Sequence, residues 1–305
     1  MGRKSEVAPD PTAIGDVSSP PFARVPDPVS LFSARSVRFR QLAGVSDLAP
    51  YLNFLAGLSQ VQHDVQADLP DPKAFDSAAM KRAREFEMPP LDRDGLGQDE
   101  TIAGIFDRFF AAAGAIEMPD AATAALARVA QSDFAKRIAM GGTIFTSALP
   151  ADAIAEHVFV WAALQVHFAR LASVLDPKML APVADGLCPA CGARPVSSMV
   201  VGWPGSHGAR FCACSLCSTL WHYVRVKCVL CGSTKGIAYQ EIEGQGGTVK
   251  AETCDECGGW SKIFYQNKAP ETDPVADDVA SLGLDLLMRE GPYHRGGFAP
   301  LMAGF

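Results

Sequence analysis

The sequence predicts an α+β protein with an all-helical N-terminal domain, two small β-rich units in tandem and a C-terminal helix. Three observations lead to this fold class. Apolar residues recur at helical spacing through the first half of the chain. Cysteines recur at regular intervals between positions 188 and 257. Glycine turns and short runs of alternating polarity separate these cysteines, and such runs favour strands.

The cysteines of this region form four Cys-x-x-Cys pairs, each of which is called a knuckle below. The pattern C-x2-C-x22-C-x2-C occurs twice, and each cysteine of the first half has a counterpart 40 residues later. This repetition indicates the duplication of one unit, with the first copy at 186–227 and the second at 228–268. The predicted metal ligands are Cys188, Cys191, Cys214, Cys217, Cys228, Cys231, Cys254 and Cys257.

Two knuckles together supply four thiolates, a tetrahedral ligand set that suits zinc or a single iron. Strand–turn–strand segments between paired knuckles are typical of a zinc ribbon or a rubredoxin-like unit. The duplication pairs the first knuckle with the second and the third with the fourth, while a crossed arrangement and disulfide bonding are the alternatives. A closed four-ligand site leaves no coordination position for a substrate. We therefore expect two structural or electron-carrying ions per chain.

The helical domain is expected at 28–178, after a mobile arm at 1–27 that is rich in Pro, Ser and Asp. Helices are predicted to begin near Pro28 and Ser46, and further helices to cover 73–87, 101–113, 119–141 and 151–175. The Gly141-Gly142 pair is expected to end the fifth of them. Residues 176–187 then form a linker to the tandem units.

Two further segments flank the second unit. Residues 220–227 alternate in polarity and predict a strand with Trp221, Tyr223, Arg225 and Lys227 on one face. That face is either a surface that binds a partner or an ordinary exposed strand. The last segment, 269–305, is predicted to hold a helix at 275–289 and a tail.

Composition excludes several classes of protein. The net charge is −7 and the isoelectric point is near 5.4, which argues against a general nucleic-acid binder. No apolar run is long enough to span a bilayer, so no membrane insertion is expected. The N-terminus lacks the apolar block of a secretory signal. Because metal-bound thiolates fit a reducing compartment, we expect a cytoplasmic protein.

The sequence shows no recognisable catalytic machinery. It has neither a phosphate-binding glycine loop nor a Gly-x-Ser-x-Gly elbow. Cys212 lies outside the knuckles, and we expect it to be buried and not a ligand. His222 follows the second knuckle closely, and we expect it to pack on a strand because four thiolates are already available. We therefore predict no catalytic residue and no enzymatic activity.

Several stretches of the chain resemble the FdhE family of formate dehydrogenase accessory proteins. They are the four knuckles, the run Trp221–Cys228, the run Lys250–Cys257 and the run Val275–Asp285. The helical segment that contains Tyr51-Leu52-Asn53-Phe54 is also similar. The resemblance covers about 28–300 and is densest between 186 and 290. The tail after Gly297 departs from the family pattern, as does Cys212, and neither departure touches the knuckles.

The resemblance implies a cytoplasmic protein that binds iron in two rubredoxin-like sites. It also implies contact with the catalytic subunit of a respiratory formate dehydrogenase, whose activation or assembly requires the family. A maturation factor without enzymatic activity is thus the leading hypothesis. A zinc-ribbon protein that binds nucleic acid or acts as a regulator is the second, and salt-sensitive retention on DNA would support it. A one-electron carrier is the third, and turnover with an electron donor would distinguish it.

Overall fold

The N-terminal half of the protein is helical in this computed structural model, which describes residues 20–244 and 246–303. Acidic residues begin several helices: Asp76, Asp99 and Asp133 each accept a hydrogen bond from a backbone N–H of the first turn. The helices are α1 Leu31–Ala43, α2 Ala49–Ala67, α3 Ser77–Glu85, α4 Glu100–Ala113, α5 Asp120–Gln131, α6 Phe134–Phe145 and α7 Ile154–Ser173. A short 3-10 helix, Asp94–Gln98, precedes α4.

One predicted helix is two helices in the structure. The segment 119–141 divides into α5 and α6 because Ser132 is extended and the Asp133 carboxylate accepts a hydrogen bond from the Lys136 N–H at 2.7 Å. The prediction that Gly141-Gly142 ends the helix was wrong, since α6 continues to Phe145. A Cβ on Gly141 would lie only 3.2 Å from Leu96 and 3.4 Å from Leu164. Gly141 therefore allows close packing of α6 and does not end it.

The tandem units together build one sheet. Its strands are β1 Ala23–Arg24, β2 Pro195–Val200, β3 Arg210–Cys214, β4 Leu220–His222, β5 Ile237–Gln240, β6 Val249–Cys254, β7 Gly259–Tyr265 and β8 His294–Arg295. Their order is β1-β4-β3-β2-β7-β6-β5, and β8 also pairs with β7. The duplication is visible in this order, because each unit contributes three antiparallel strands. The units join where β2 and β7 pair in parallel, with Ser198 opposite Ile263.

The strand predicted at 220–227 ends at His222. Trp221 is buried at 3% exposure, so the predicted face of Trp221, Tyr223, Arg225 and Lys227 does not exist. The Trp221 side chain belongs to the hydrophobic core that includes the helices. The strand β1, which lies within the predicted arm, pairs with β4 and places Ala23 opposite Trp221. Residues 1–19 of the arm lie outside the described residues, and its described part contributes an edge strand to the sheet.

The C-terminal helix is also divided, into α8 Ala276–Ala280 and α9 Leu282–Arg289. The break lies at Ser281, beside the fully buried ammonium of Lys262. Lys262 Nζ donates to the carbonyl oxygens of Asp278 at 2.6 Å and Ser281 at 3.2 Å. A buried ammonium group needs hydrogen-bond acceptors, and these two carbonyl oxygens accept from it. They are therefore not available to a regular helix, which explains the break at Ser281.

A single hydrophobic core crosses from the helices into the first unit. It contains α7, whose residues are buried on almost all sides, together with Cys188 and Cys217 of the first unit. The helical part and the first unit therefore share one interior. Among the described residues, no helix combines the length and apolar character that crossing a membrane requires.

A buried ion pair spans the joint between the two units. Arg210 on β3 is 0% exposed and Glu252 on β6 is 2% exposed. The Arg210 guanidinium donates to Glu252 Oε1 at 2.9 Å and to Ser198 Oγ at 3.0 Å. The second carboxylate oxygen accepts a hydrogen bond from the Tyr239 hydroxyl at 3.1 Å. Removing one charge would leave the other buried without its partner.

We predict that Glu252→Gln lowers the free energy of unfolding by about 3 kcal/mol, because it leaves the Arg210 charge uncompensated in the interior. Urea denaturation of the metal-loaded protein, followed by tryptophan fluorescence, measures this loss. The double variant Arg210→Met, Glu252→Leu is expected to lose less than the single variant, because no isolated charge remains. A double variant less stable than Glu252→Gln would contradict this account.

Candidate metal centres

The first group of cysteines unites the first and second knuckles. The site contains the Sγ atoms of four cysteines, which all lie within 4.8 Å of one another: Cys188, Cys191, Cys214 and Cys217. The Sγ atoms of Cys188 and Cys217 are 3.7 Å apart, and those of Cys191 and Cys214 are 3.5 Å apart. A metal bound tetrahedrally by sulfur at about 2.3 Å requires sulfur atoms about 3.8 Å apart. The cage therefore has the size of a metal site with four thiolate ligands.

The second group unites the third and fourth knuckles in the same way. Its members are Cys228, Cys231, Cys254 and Cys257, again within 4.8 Å of one another. The Sγ atoms of Cys228 and Cys257 are 3.9 Å apart, and those of Cys231 and Cys254 are 3.8 Å apart. All nine cysteines are free, so the grouping is neither crossed nor disulfide-bonded. The chain has two four-cysteine metal-binding sites.

The knuckle turns depend on the small residue that follows each of them. Gly192, Ser218, Gly232 and Gly258 all have positive φ, between 59° and 74°. This left-handed conformation suits glycine. The turns direct backbone N–H groups at the sulfurs: Leu216 and Cys217 both donate to Cys214 Sγ at 3.4 Å, and Leu230 donates to Cys228 Sγ at 3.4 Å. Such bonds stabilise the thiolate form that binds a metal.

Helices of the N-terminal part hold the first site in place. The Leu91 N–H donates to the carbonyl of Ala190, inside the first knuckle, at 3.0 Å. Gln165 on α7 donates to the carbonyl of Ser215, inside the second knuckle, at 2.8 Å. Gln62 on α2 in turn donates to Gln165 Oε1 at 2.9 Å. The helical part therefore determines where the two knuckles lie.

Three polar side chains, called the clamp below, support the third knuckle: Asp185, Tyr223 and Lys227. Asp185 Oδ1 accepts hydrogen bonds from the Tyr223 hydroxyl at 2.7 Å and from Lys227 Nζ at 2.9 Å. A Cβ on Gly232, whose φ is +74°, would collide with Asp185 Oδ2, so any other residue here would displace the Asp185 carboxylate and strain the turn. The sequence prediction missed Asp185, because a lone aspartate in a linker carries no signal of its own. Tyr223 and Lys227 therefore support the second site and do not form a separate surface.

Burial opposes the loss of protons from two thiols of the first site before a metal binds. It raises the pKa of the Cys188 and Cys191 thiols well above their usual range, since no water reaches them. Metal loading must therefore displace protons from these two sulfurs, and raising the pH favours loading.

Cys212 lies apart from both groups. It is completely buried on β3, where it pairs with Trp221 and Ser198 in the neighbouring strands. Burial raises the pKa of its thiol to about 12, so the thiolate is scarce at neutral pH. His222, at the end of β4, packs edge-on against the Phe211 ring. Neither residue belongs to a four-cysteine group.

Comparison with known proteins identifies three family models along the chain. They are described as FdhE, N-terminal, over residues 20–185; FdhE, central domain, over 187–225; and FdhE, C-terminal domain, over 226–302. The protein FdhE homolog of Rhizobium meliloti (strain 1021) is 48% identical over 99% of both chains. The protein FdhE homolog of Cronobacter sakazakii is 35% identical over 90% of this chain and 88% of that protein.

A solved structure is similar over almost the same range. The crystal structure of the FdhE protein from Pseudomonas aeruginosa covers 93% of this chain and 99% of its own, at 32% identity and a TM-score of 0.82. Three consecutive family models, full-length relatives and a shared fold lead to one conclusion: the chain belongs to the FdhE family.

Proposed function

We propose that this protein is an accessory factor, without enzymatic activity of its own, for the assembly or activation of a formate dehydrogenase. The observation that carries the proposal is the combination of FdhE family membership with two four-cysteine sites in one chain. The client is the catalytic subunit of that enzyme, and the encounter takes place in the cytoplasm. This role follows from the resemblance described above.

We propose further that the eight knuckle cysteines are the metal ligands and that iron is the metal, with zinc as its substitute. Four sulfurs at tetrahedral spacing, with N–H groups directed at them, suit either ion. Bound iron would supply a one-electron couple at each site. The protein's own contribution is to fix the four sulfurs and to exclude additional ligands.

A one-electron carrier is the second candidate, and one observation favours it. Cys231 is exposed and Cys257 is partly exposed, so electrons could reach the second site from a protein docked on it. This role would be favoured if an electron donor reduces the iron-loaded protein and an electron acceptor reoxidises it, both at rates that support turnover. Binding of the client without such turnover favours the accessory role.

We predict that replacing both Cys188 and Cys191 with serine removes at least half of the bound metal, because two ligands of one site are lost and that site lies inside the shared core. Metal analysis per chain after anaerobic purification, together with a visible spectrum, measures the change and identifies the metal. The matched variant Cys228→Ser, Cys231→Ser is expected to lose the other half. Unchanged metal content in either variant would rule out that ligand set.

We predict that Cys212→Ser leaves both the metal content and the visible spectrum unchanged, because this thiol belongs to neither cage. The variant also serves as a control for introducing serine on a buried strand. A loss of metal comparable to that of Cys214→Ser would overturn the assignment.

We predict that the protein captures the catalytic subunit of a formate dehydrogenase from its own host. An affinity-tagged chain, purified anaerobically from cells grown with formate, tests capture, and mass spectrometry identifies the bound protein. Deleting the gene is expected to lower cellular formate dehydrogenase activity, and expression of either the wild-type chain or the Cys212→Ser variant is expected to restore it. Full activity in the deletion strain, with no capture, would refute the accessory role.

A further inference from the structure

The two four-cysteine sites have the same ligands and the same local fold but differ in access to solvent. In the first site, Cys188, Cys191 and Cys217 are 0% exposed and Cys214 is 1% exposed. In the second site, Cys228 and Cys254 are buried, Cys257 is partly exposed and Cys231 is exposed. The spacing of the ligands is the same in both copies, so the difference comes from the residues between and around the ligands.

The helical part covers the first site at the positions that are open in the second. Cys191 corresponds to Cys231 in the duplication. Beside Cys191, the turn at Gly192 lies against Pro89 and Arg93, where a Cβ would be 3.2 and 3.4 Å away from their side chains. The backbone bond from Leu91 to Ala190 closes this contact. Water therefore does not reach Cys191.

At the second site, the corresponding turn at Gly232 lies against Asp185 and Lys227, whose side chains are both partly exposed to solvent. Leu230, the counterpart of Ala190, packs its side chain against Gly259 and Gly296. The packing is so close that a Cβ on Gly259 would lie 2.6 Å from the Leu230 side chain, and a Cβ on Gly296 would lie even closer. Cys231 is consequently left outside the packed region. On the other side of the site, Asp255 and Glu256 of the fourth knuckle are exposed. The contacts that hold this knuckle include three hydrogen bonds: the Tyr293 hydroxyl donates to Asp255 at 2.6 Å, the Asp255 N–H donates to the Gly236 carbonyl at 2.9 Å, and the His294 N–H donates to the Gly258 carbonyl at 2.9 Å.

We propose that the second site exchanges its metal with the solution while the protein stays folded, and that the first site keeps its metal as part of the core. Replacement of a bound metal requires an incoming ligand or proton to reach a metal–sulfur bond. At the second site Cys231 and Cys257 are already accessible. At the first site the shared core of helices and sheet must open before any sulfur is reached. This inference rests on the proposed assignment of a metal to each site and goes beyond it, because that assignment says nothing about metal exchange.

The experiment compares metal release from the two sites in the full chain. Protein that is loaded anaerobically with zinc alone is mixed at neutral pH with an excess of the chromogenic chelator 4-(2-pyridylazo)resorcinol. We expect one zinc ion to be released about tenfold faster than the other, or faster still, because only the first site requires local opening.

Parallel samples are treated with iodoacetamide for increasing times, and peptide mass spectrometry identifies the labelled cysteines. We expect labelling at the third and fourth knuckles first.

A variant assigns the two phases of release. Cys231→Ser, Cys257→Ser is expected to hold one zinc ion, and that ion is expected to leave with the slow phase of the wild type. Two outcomes would overturn the proposal. One is release of both zinc ions from the wild type at the same rate. The other is labelling of Cys188 and Cys191 before Cys231 and Cys257. The labelling order in the wild type decides the question even if the variant fails to fold.

Discussion

The fold depends on a four-cysteine site placed inside its hydrophobic core. The four sulfurs of the first site lie in the same buried cluster as the residues of α7. Gln62, Gln165 and the carbonyl of Ser215 form a buried chain of hydrogen bonds from α2 through α7 to the second knuckle. A buried amide that loses its partner costs free energy, so this chain sets the position of the knuckle as well as stabilising it. The helices and the first unit are thus one folding unit around a site for metal.

The second unit is attached to the first through the sheet, with fewer contacts to the helices. Parallel pairing of β2 with β7 joins the backbones, and the buried pair of Arg210 and Glu252 joins the side chains. A further connection runs through the C-terminal segment. From β8, beside the fourth knuckle, it continues to Phe298, whose N–H donates to the Pro195 carbonyl, and to Leu301, whose carbonyl accepts from the Tyr51 hydroxyl at 2.6 Å. The C-terminal segment therefore links the second site to the helices.

Predictions from the sequence succeeded where the signal was local and repeated. The 40-residue offset between knuckles has no competing explanation in a chain of this length, and the grouping of the sulfurs follows it. Predictions failed where a distant partner decided the outcome. Residues 220–227 alternate as a strand should, yet the strand ends at His222 and Trp221 packs into the core formed mainly by helices about 50 to 200 residues away along the chain. The break at Ser281 depends on Lys262 in β7, and the clamp on the third knuckle depends on Asp185. Periodicity contains no information about such contacts.

Duplication explains how one chain can hold two similar sites in such different surroundings. A single four-cysteine unit of about 40 residues buries little apolar surface and needs its metal in order to fold. The helices enclose the first copy, so its four cysteines are out of contact with solvent. The second copy, fixed to the first by β2 and β7, folds against an existing sheet and can leave Cys231 at the surface without losing that support. The scaffold that the first site stabilises is what allows the second site to remain open.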